Sequence, residues 1–340
     1  MNNSGRNLTL INIPELSSAN DKFVELANYR EAQWVRLSGV PRNMLERVIK
    51  RPKLSRYRGA FEAAMAARHA DRPVIISHMP RMSASVNRIC RLVSPQAKHI
   101  AFSFNFTDLP AASDRDYLVN SFRGIDRFIV YSEYEREVYA KYFGIPIERI
   151  RRVFWTQDAP PVELTQRRVF DQPYLCAIGG EGRDFHCLVE AARISRLPIA
   201  IVARPHSLLG LKLPDNVKVF SNLPLAETWG IAANSQGVVV PLLQPTTCCG
   251  QITIVSTMML GLPLIASACH ALDEYLGGDS VALTYRFGDP QDLANTMGQL
   301  LSGADEYGSR ARMLVPLNRA RYARQKWTEC IESCLDEFQD

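Results

Sequence analysis

The chain has 340 residues, 46% of them apolar and 22% charged, and a net charge of +5. This is the balance of a soluble globular protein, not a disordered or fibrous one, and the length exceeds what one hydrophobic core usually spans, so two domains are expected. The opening residues lack a basic stretch followed by an apolar core and a small-residue cleavage site, so a cytoplasmic chain is expected. Eight cysteines, none in C-x-x-C spacing, fit reduced thiols and point to neither a zinc site nor a disulfide framework.

In chain order, Leu8–Ile13 reads as a strand and residues 58–69 as an alanine-rich helix. Residues 73–77 and 99–104 read as strands separated by a helix over 83–92. Residues 125–131 form another strand. Ser132 with Glu135 then makes a capping box that opens a helix through Phe143. Residues 156–173, with Pro160-Pro161 and no periodicity, read as a linker. A second series follows, with strands at 174–178, 199–203, 217–220, 237–240 and 282–285. Helices are expected at 185–194, 224–233, 251–260 and 289–301, and residues 310–338 read as largely helical. Repeated βα alternation implies an α/β protein with doubly wound parallel sheets, in two copies. The expected domains are 1–165 and 166–315, with residues 316–340 a C-terminal helix packing back on the first. No Gly-rich G-x-G-x-x-G follows a strand, so an NAD-type site lacks its usual support.

Charge is unevenly spread. Residues 1–170 carry 27 Lys and Arg against 17 Asp and Glu, whereas the remainder carries 13 against 18. Many of the first half's cations lie between Arg42 and Arg58, interleaved with Met44, Leu45, Val48, Ile49 and Leu54. Two readings stay open for this segment: a basic amphipathic surface lying on anionic lipid, or a solvated helix face interrupted by Pro52. With Tyr57 its single aromatic, it does not read as a nucleic-acid surface.

The 45 residues from Thr228 to Leu272 contain no Lys, Arg, Asp or Glu. Pro and Gly interrupt them, so they are not a membrane span. They read as a buried strand–loop–helix–strand unit. Gly250 and small polar residues sit where the loop meets the helix, a junction whose free N–H groups and positive dipole end suit an anion.

From about Phe122 to Leu301 the order and local motifs resemble the GT-B glycosyltransferases, and among them the retaining enzymes of glycosyltransferase family 4. SFRGIDRFIVYSEYEREVYAKYFGIPIERIRRVFWTQD is similar to their passage from first domain to linker. IGGEGRDFHCLVEAAR is similar to the opening of their second domain. The uncharged stretch resembles their donor-binding core, and DEYLGGDSVALTYRFGDPQDLANTMGQLL resembles the segment after it. The resemblance implies two Rossmann-like domains with a cleft between them. It also implies a metal-independent hexosyltransferase that uses a nucleotide diphosphate sugar as co-substrate, with no other cofactor, in polysaccharide or cell-envelope biosynthesis.

A glycan or lipid-linked acceptor is then expected, with the protein at the inner face of the membrane. The diphosphate would lie on Arg183 and the backbone of Gly250, Gln251, Ile252 and Thr253. The nucleoside would lie on Ser221, Asn222, Leu223 and Ser256. His78, Asn105, Thr107 and Asp108, at strand C-terminal ends, would be the catalytic candidates. The chain departs from the family at two Glu positions, here Cys248 and Ser256, at a second basic position near Gly180, and at an active-site His replaced by Asn105. The alternative is therefore a catalytically weak or inactive nucleotide-sugar-binding or scaffold protein on the same fold.

Overall fold

The computed structural model describes residues 8–15, 32–49, 53–163, 169–180, 182–246, 248–278 and 281–338. Lys50, Arg51 and Pro52 of the basic segment lie outside the described residues, as does Glu181. The chain divides into two compact units: one of residues up to Phe154 together with Arg324–Asp340, the other Trp155–Ala323.

The first unit is built on six parallel strands: β1 (Thr9–Ile13), β2 (Gln33–Arg36), β3 (Pro73–His78), β4 (Lys98–Phe102), β5 (Arg127–Val130) and β6 (Ile150–Arg152), in the order β2-β1-β3-β4-β5-β6. β1 and β3 are buried along their whole length, which explains their nearly unbroken apolar runs. On one core, Ala60, Ala63, Ala64 and Ala67 of helix Leu54–Arg68 lie with Ile11, Ile13 and Ile75. Small alanine side chains bring helix and sheet close. A second core is aromatic: Phe104, Phe106, Phe122, Phe128, Tyr139 and Phe143. Ser132 accepts from the Glu135 N–H at 3.1 Å and caps helix Glu133–Phe143, as its capping-box sequence predicts.

Sequence reasoning did not find β2, β6 or the helix Ala112–Phe122. Both strands are sheet edges and carry charge, with Arg36 on one and Arg151 and Arg152 on the other. Charged edge strands resist pairing with other chains, and that same charge hides them from hydropathy. The helix buries only Leu118, Ser121 and Phe122, too few to print an apolar stripe.

One buried polar group in this unit has a consequence for stability. His99 Nε2 lies 2.7 Å from Ser77 Oγ, and its Nδ1 has no hydrogen-bond partner among the described residues. Burial lowers its pKa from 6.5 to about 3. The unfolded chain takes up the proton below pH 6.5 and the folded chain does not. Stability from this group is therefore complete above pH 6.5 and is lost as pH falls from 6.5 towards 3. On going from pH 7 to pH 4.5, wild type is expected to lose about 2–3 kcal/mol more than His99→Gln, since each pKa unit of difference is worth a little over 1 kcal/mol. Urea unfolding of both proteins at the two pH values measures this, and equal losses would refute it.

The second unit has strands β7 (Leu175–Ile178), β8 (Ile199–Val202), β9 (Val217–Phe220), β10 (Val238–Val240), β11 (Leu264–Ser267) and β12 (Ala282–Tyr285), all parallel. Their order is β12-β11-β10-β7-β8-β9. The order reverses between β7 and β10, so the chains leaving these neighbours diverge to opposite sides of the sheet. In open α/β sheets that crevice is where ligands bind. In the first unit the reversal falls between β1 and β3.

Residues 155–163 carry no regular element, but they pack within the second unit. Trp155 N–H donates to the Tyr275 hydroxyl at 2.9 Å, Glu163 N–H donates to Ala226 O, and Thr156 is fully buried. Gly230 lets this segment approach: a Cβ there would stand 1.9 Å from Glu163 O. The C-terminal stretch forms three helices, Ala304–Met313, Val315–Arg321 and Gln325–Asp336. The last lies in the first unit, where Trp327 stacks on Tyr131 and donates its indole N–H to Phe154 O. All eight cysteines are free thiols. No helix among the described residues is long and apolar enough to cross a membrane.

Candidate functional site

The loops after β7 and β10 meet at the sheet reversal of the second unit. Asp184 N–H donates to Pro241 O at 3.0 Å, Leu243 N–H to Gly182 O at 3.1 Å, and Arg183 bridges to Leu242. This pairing carries the Arg183 side chain onto the start of helix Gln251–Met259, where Nη2 donates to Thr253 Oγ1 at 3.1 Å. Two residues 70 positions apart are thereby brought into contact. Gly250 is the helix N-cap, with φ +93°, and among the described residues no side chain caps the first turn. A Cβ at Gly250 would stand 3.1 Å from Val240 Cγ1 and 3.6 Å from Arg183 Nη1, so both conformation and crowding call for glycine.

The result is an uncapped helix start with a guanidinium beside it. Burial holds the Arg183 pKa below its ordinary value. The arrangement can bind a phosphorylated group through backbone N–H groups and a forked cation. Of the residues expected at the diphosphate, Arg183, Gly250, Gln251 and Thr253 gather here. Gln251 uses its amide to donate to Cys248 O at 2.6 Å, and Ile252 is exposed.

The expected nucleoside residues divide. Ser221 donates to Ala203 O at 2.8 Å, and exposed Asn222 sits at φ +57° in the turn after β9 before Leu223. Ser256 is buried, and its hydroxyl accepts from Gln157, whose Oε1 in turn accepts from the Trp155 indole at 2.8 Å. A neutral amide relay therefore stands where the family resemblance implied a carboxylate. Cys248, the other such position, is buried and donates its thiol to Ala271 O at 3.1 Å.

In the first unit, His78 ends β3 at the sheet reversal and is buried, with Nε2 at 2.7 Å from Asn12 Oδ1 of β1. Burial takes its pKa down to about 4, so the ring is neutral near pH 7. The expected strand over 99–104 ends two residues early: Ser103 turns at φ +51°, and Phe104 dives into the aromatic core. This places Asn105 so that its amide donates to Glu135 Oε1 at 2.6 Å. Glu135 also accepts from the Tyr139 hydroxyl and Tyr131 N–H, and burial lifts its pKa to about 7. Thr107 and Asp108 are exposed in the loop beyond. Sequence reasoning recognised Glu135 as a cap but had no signal that its carboxyl would hold Asn105.

The basic segment divides into two helices, Met44–Val48 and Leu54–Arg68. Its cations are largely paired: Arg42 with Glu62, Arg58 with Glu46 and Glu62, and Lys53 and Arg56 with Glu15. Met44, Leu45 and Val48 are exposed.

No protein-family model and no curated protein sequence matches the chain. Solved structures do. It is similar to Anabaena HepE in complex with UDP, at 12% identity and a TM-score of 0.71, over 97% of this chain and 100% of that one. A glycosyltransferase from Rickettsia africae ESF-5 aligns at 13% identity and a TM-score of 0.70, covering 99% and 100% of the two chains. Sucrose-phosphate synthase from Thermosynechococcus elongatus aligns at 15% identity and 0.66, covering 98% and 99%. The fold is GT-B. Two parallel six-stranded sheets with flanking helices are what these structures share with the chain, and in this GT-B protein the candidate anion site lies at the sheet reversal of the second unit.

Proposed function

We propose that the protein is a glycosyltransferase that takes a sugar from a nucleotide diphosphate sugar bound on the second unit and passes it to a glycan acceptor met by the first. The carrying observation is the uncapped start of helix Gln251–Met259 with Gly250 at φ +93° and Arg183 against it. Similarity to HepE, which has been seen with UDP and with UDP-glucose, supports the choice of ligand.

When the glycosidic bond breaks, negative charge builds on the departing diphosphate. A diphosphate held at this helix start would meet the backbone N–H groups of residues 250–253 and the Arg183 guanidinium, which would stabilise the transition state with little reorganisation. In this reading the protein itself compensates the charge, without a metal. We assign the enzyme to the retaining hexosyltransferases of family 4. The acceptor attacks on the face the diphosphate leaves, and a diphosphate oxygen takes the hydroxyl proton. Asn105, held by Glu135, and neutral His78 orient the acceptor from the first unit.

A lipid-linked acceptor in polysaccharide or envelope assembly would bring the first unit to the inner face of the membrane, where exposed Met44, Leu45 and Val48 are available for contact. The ion pairs of Arg42, Lys53, Arg56 and Arg58 reduce the electrostatic share of such a contact.

One observation favours a second reading, a nucleotide-sugar-binding protein without turnover: Ser256 and Cys248 carry no carboxylate, and Ser256 is engaged by Gln157. A panel of nucleotide sugars, incubated with and without a lipid-linked glycan, tests both. Release of nucleoside diphosphate with sugar on the acceptor supports the enzyme. Tight binding without turnover supports the second reading, and absence of binding overturns both.

A further inference from the structure

The loop after β7 supplies one cation to the site, and the neighbouring strand brings another. β8 pairs with β7 along its length, Ile178 opposite Val202, and Gly179 N–H donates to Val202 O at 3.1 Å. The chain leaving β8 therefore runs beside Gly179-Gly180, and Arg204 is its second residue. A Cβ on Gly179 would stand 2.8 Å from Arg183 Nε, whereas a Cβ on Gly180 would stand 3.4 Å from Arg204 Cγ and Cδ. Each glycine thus has an arginine against the space its side chain would fill.

Gly179 sits at φ +140°, which itself favours glycine. Gly180 is not among the positive-φ residues, so its backbone does not require glycine. The Arg204 stem lies at van der Waals distance from the place a Gly180 side chain would take. Ser207 closes on the same spot: its Oγ is 3.5 Å from that Cβ position, buried, and without a hydrogen-bond partner among the described residues. Ser207 N–H donates to Arg204 O at 3.0 Å, so the two residues move as one turn.

A nucleotide diphosphate sugar carries two negative charges, and a third appears on the oxygen from which the sugar departs. Arg183 and a helix start, worth about half a positive charge, leave part of that uncompensated. We propose that Arg204 is the second diphosphate cation of this site and that Ser207 Oγ donates to a phosphate oxygen beside it. This rests on the donor reading above. Arg204 is exposed, so removing it need not disturb the fold.

The test is calorimetric titration of wild type, Arg204→Ala, Arg204→Lys, Ser207→Ala and Arg183→Ala with UDP, GDP, ADP and dTDP, with inorganic pyrophosphate, and with the free nucleosides. Arg204→Ala is expected to bind the preferred diphosphate and pyrophosphate about 10- to 100-fold more weakly, the range for a charged hydrogen bond. Its nucleoside affinity should stay within about twofold, a two-fold change being well under one hydrogen bond. Arg204→Lys should recover part of the loss. If Arg183→Ala loses the diphosphate while Arg204→Ala keeps it, this inference alone falls. Equal loss of nucleoside and diphosphate by Arg204→Ala also overturns it, because the effect is then structural. If wild type binds no diphosphate at all, the donor reading fails and this inference with it.

Discussion

Arg183→Ala is expected to weaken binding of the nucleoside diphosphate by about 100-fold with the fold unchanged. Charge-assisted hydrogen bonds contribute about 1.5–3 kcal/mol each, and a forked guanidinium can make two of them to phosphate oxygens. Stability should not suffer in proportion. Burial works against this cation, holding its pKa down, and its hydrogen bond to Thr253 Oγ1 is to a neutral acceptor. Groups whose pKa is shifted by burial cluster at functional sites. Titration calorimetry with the diphosphate, beside thermal melting of the ligand-free variant, reads both quantities. An unchanged Kd would remove Arg183 from the site, and a melting temperature lower by many degrees would make its role structural.

The largest loss of stability is expected from Phe104→Ala. Phe104 is fully buried, with ring centroids of Phe106, Phe122, Phe128, Tyr139 and Phe143 between 4.9 and 6.2 Å away. Edge-to-face packing on several sides leaves little room for collapse, so truncation should cost about 3–5 kcal/mol. For a unit of this size that corresponds to a melting shift of about 10 °C. Phe104 also anchors the turn between Ser103 and Asn105, so the cavity would loosen the Asn105–Glu135 hydrogen bond. Diphosphate affinity, which lies in the second unit, should stay within about twofold, since distant sites act nearly independently. Chemical unfolding of the variant checks the first part. A loss below about 1.5 kcal/mol would mean that the aromatic core repacks around the gap.

The candidate site was partly legible in the residues. Gly250 and the helix beginning at Gln251 marked a candidate anion site because a glycine before an uncharged apolar helix is a local pattern. Ser132 and Glu135 announced a cap for the same reason. Arg204 gave no such sign. In sequence it is a surface arginine before Pro205, and nothing near it mentions Gly180. No second cation lies near Gly180 along the chain, whereas across the sheet the chain leaving β8 brings Arg204 beside it. Ser256 is a second such case: its position suggests a ribose contact, and the fold brings Gln157 to its hydroxyl, which no local pattern announces.

Composition and periodicity by themselves determined that this is an α/β protein in two units, with helices and central strands near their observed places and a glycine-led helix start in the second unit. Those features follow from interactions among residues a few positions apart, and period and capping residues record them directly. Only the tertiary structure decided the strand order, the edge strands, the Asn12–His78 and Asn105–Glu135 pairs, and the seating of Arg183 and Arg204 against Gly179 and Gly180. In a parallel sheet, neighbouring strands are joined by crossovers of a dozen or more residues. The residues that meet at the sheet's C-terminal edge are therefore chosen by the winding of the chain, and no local pattern carries that choice.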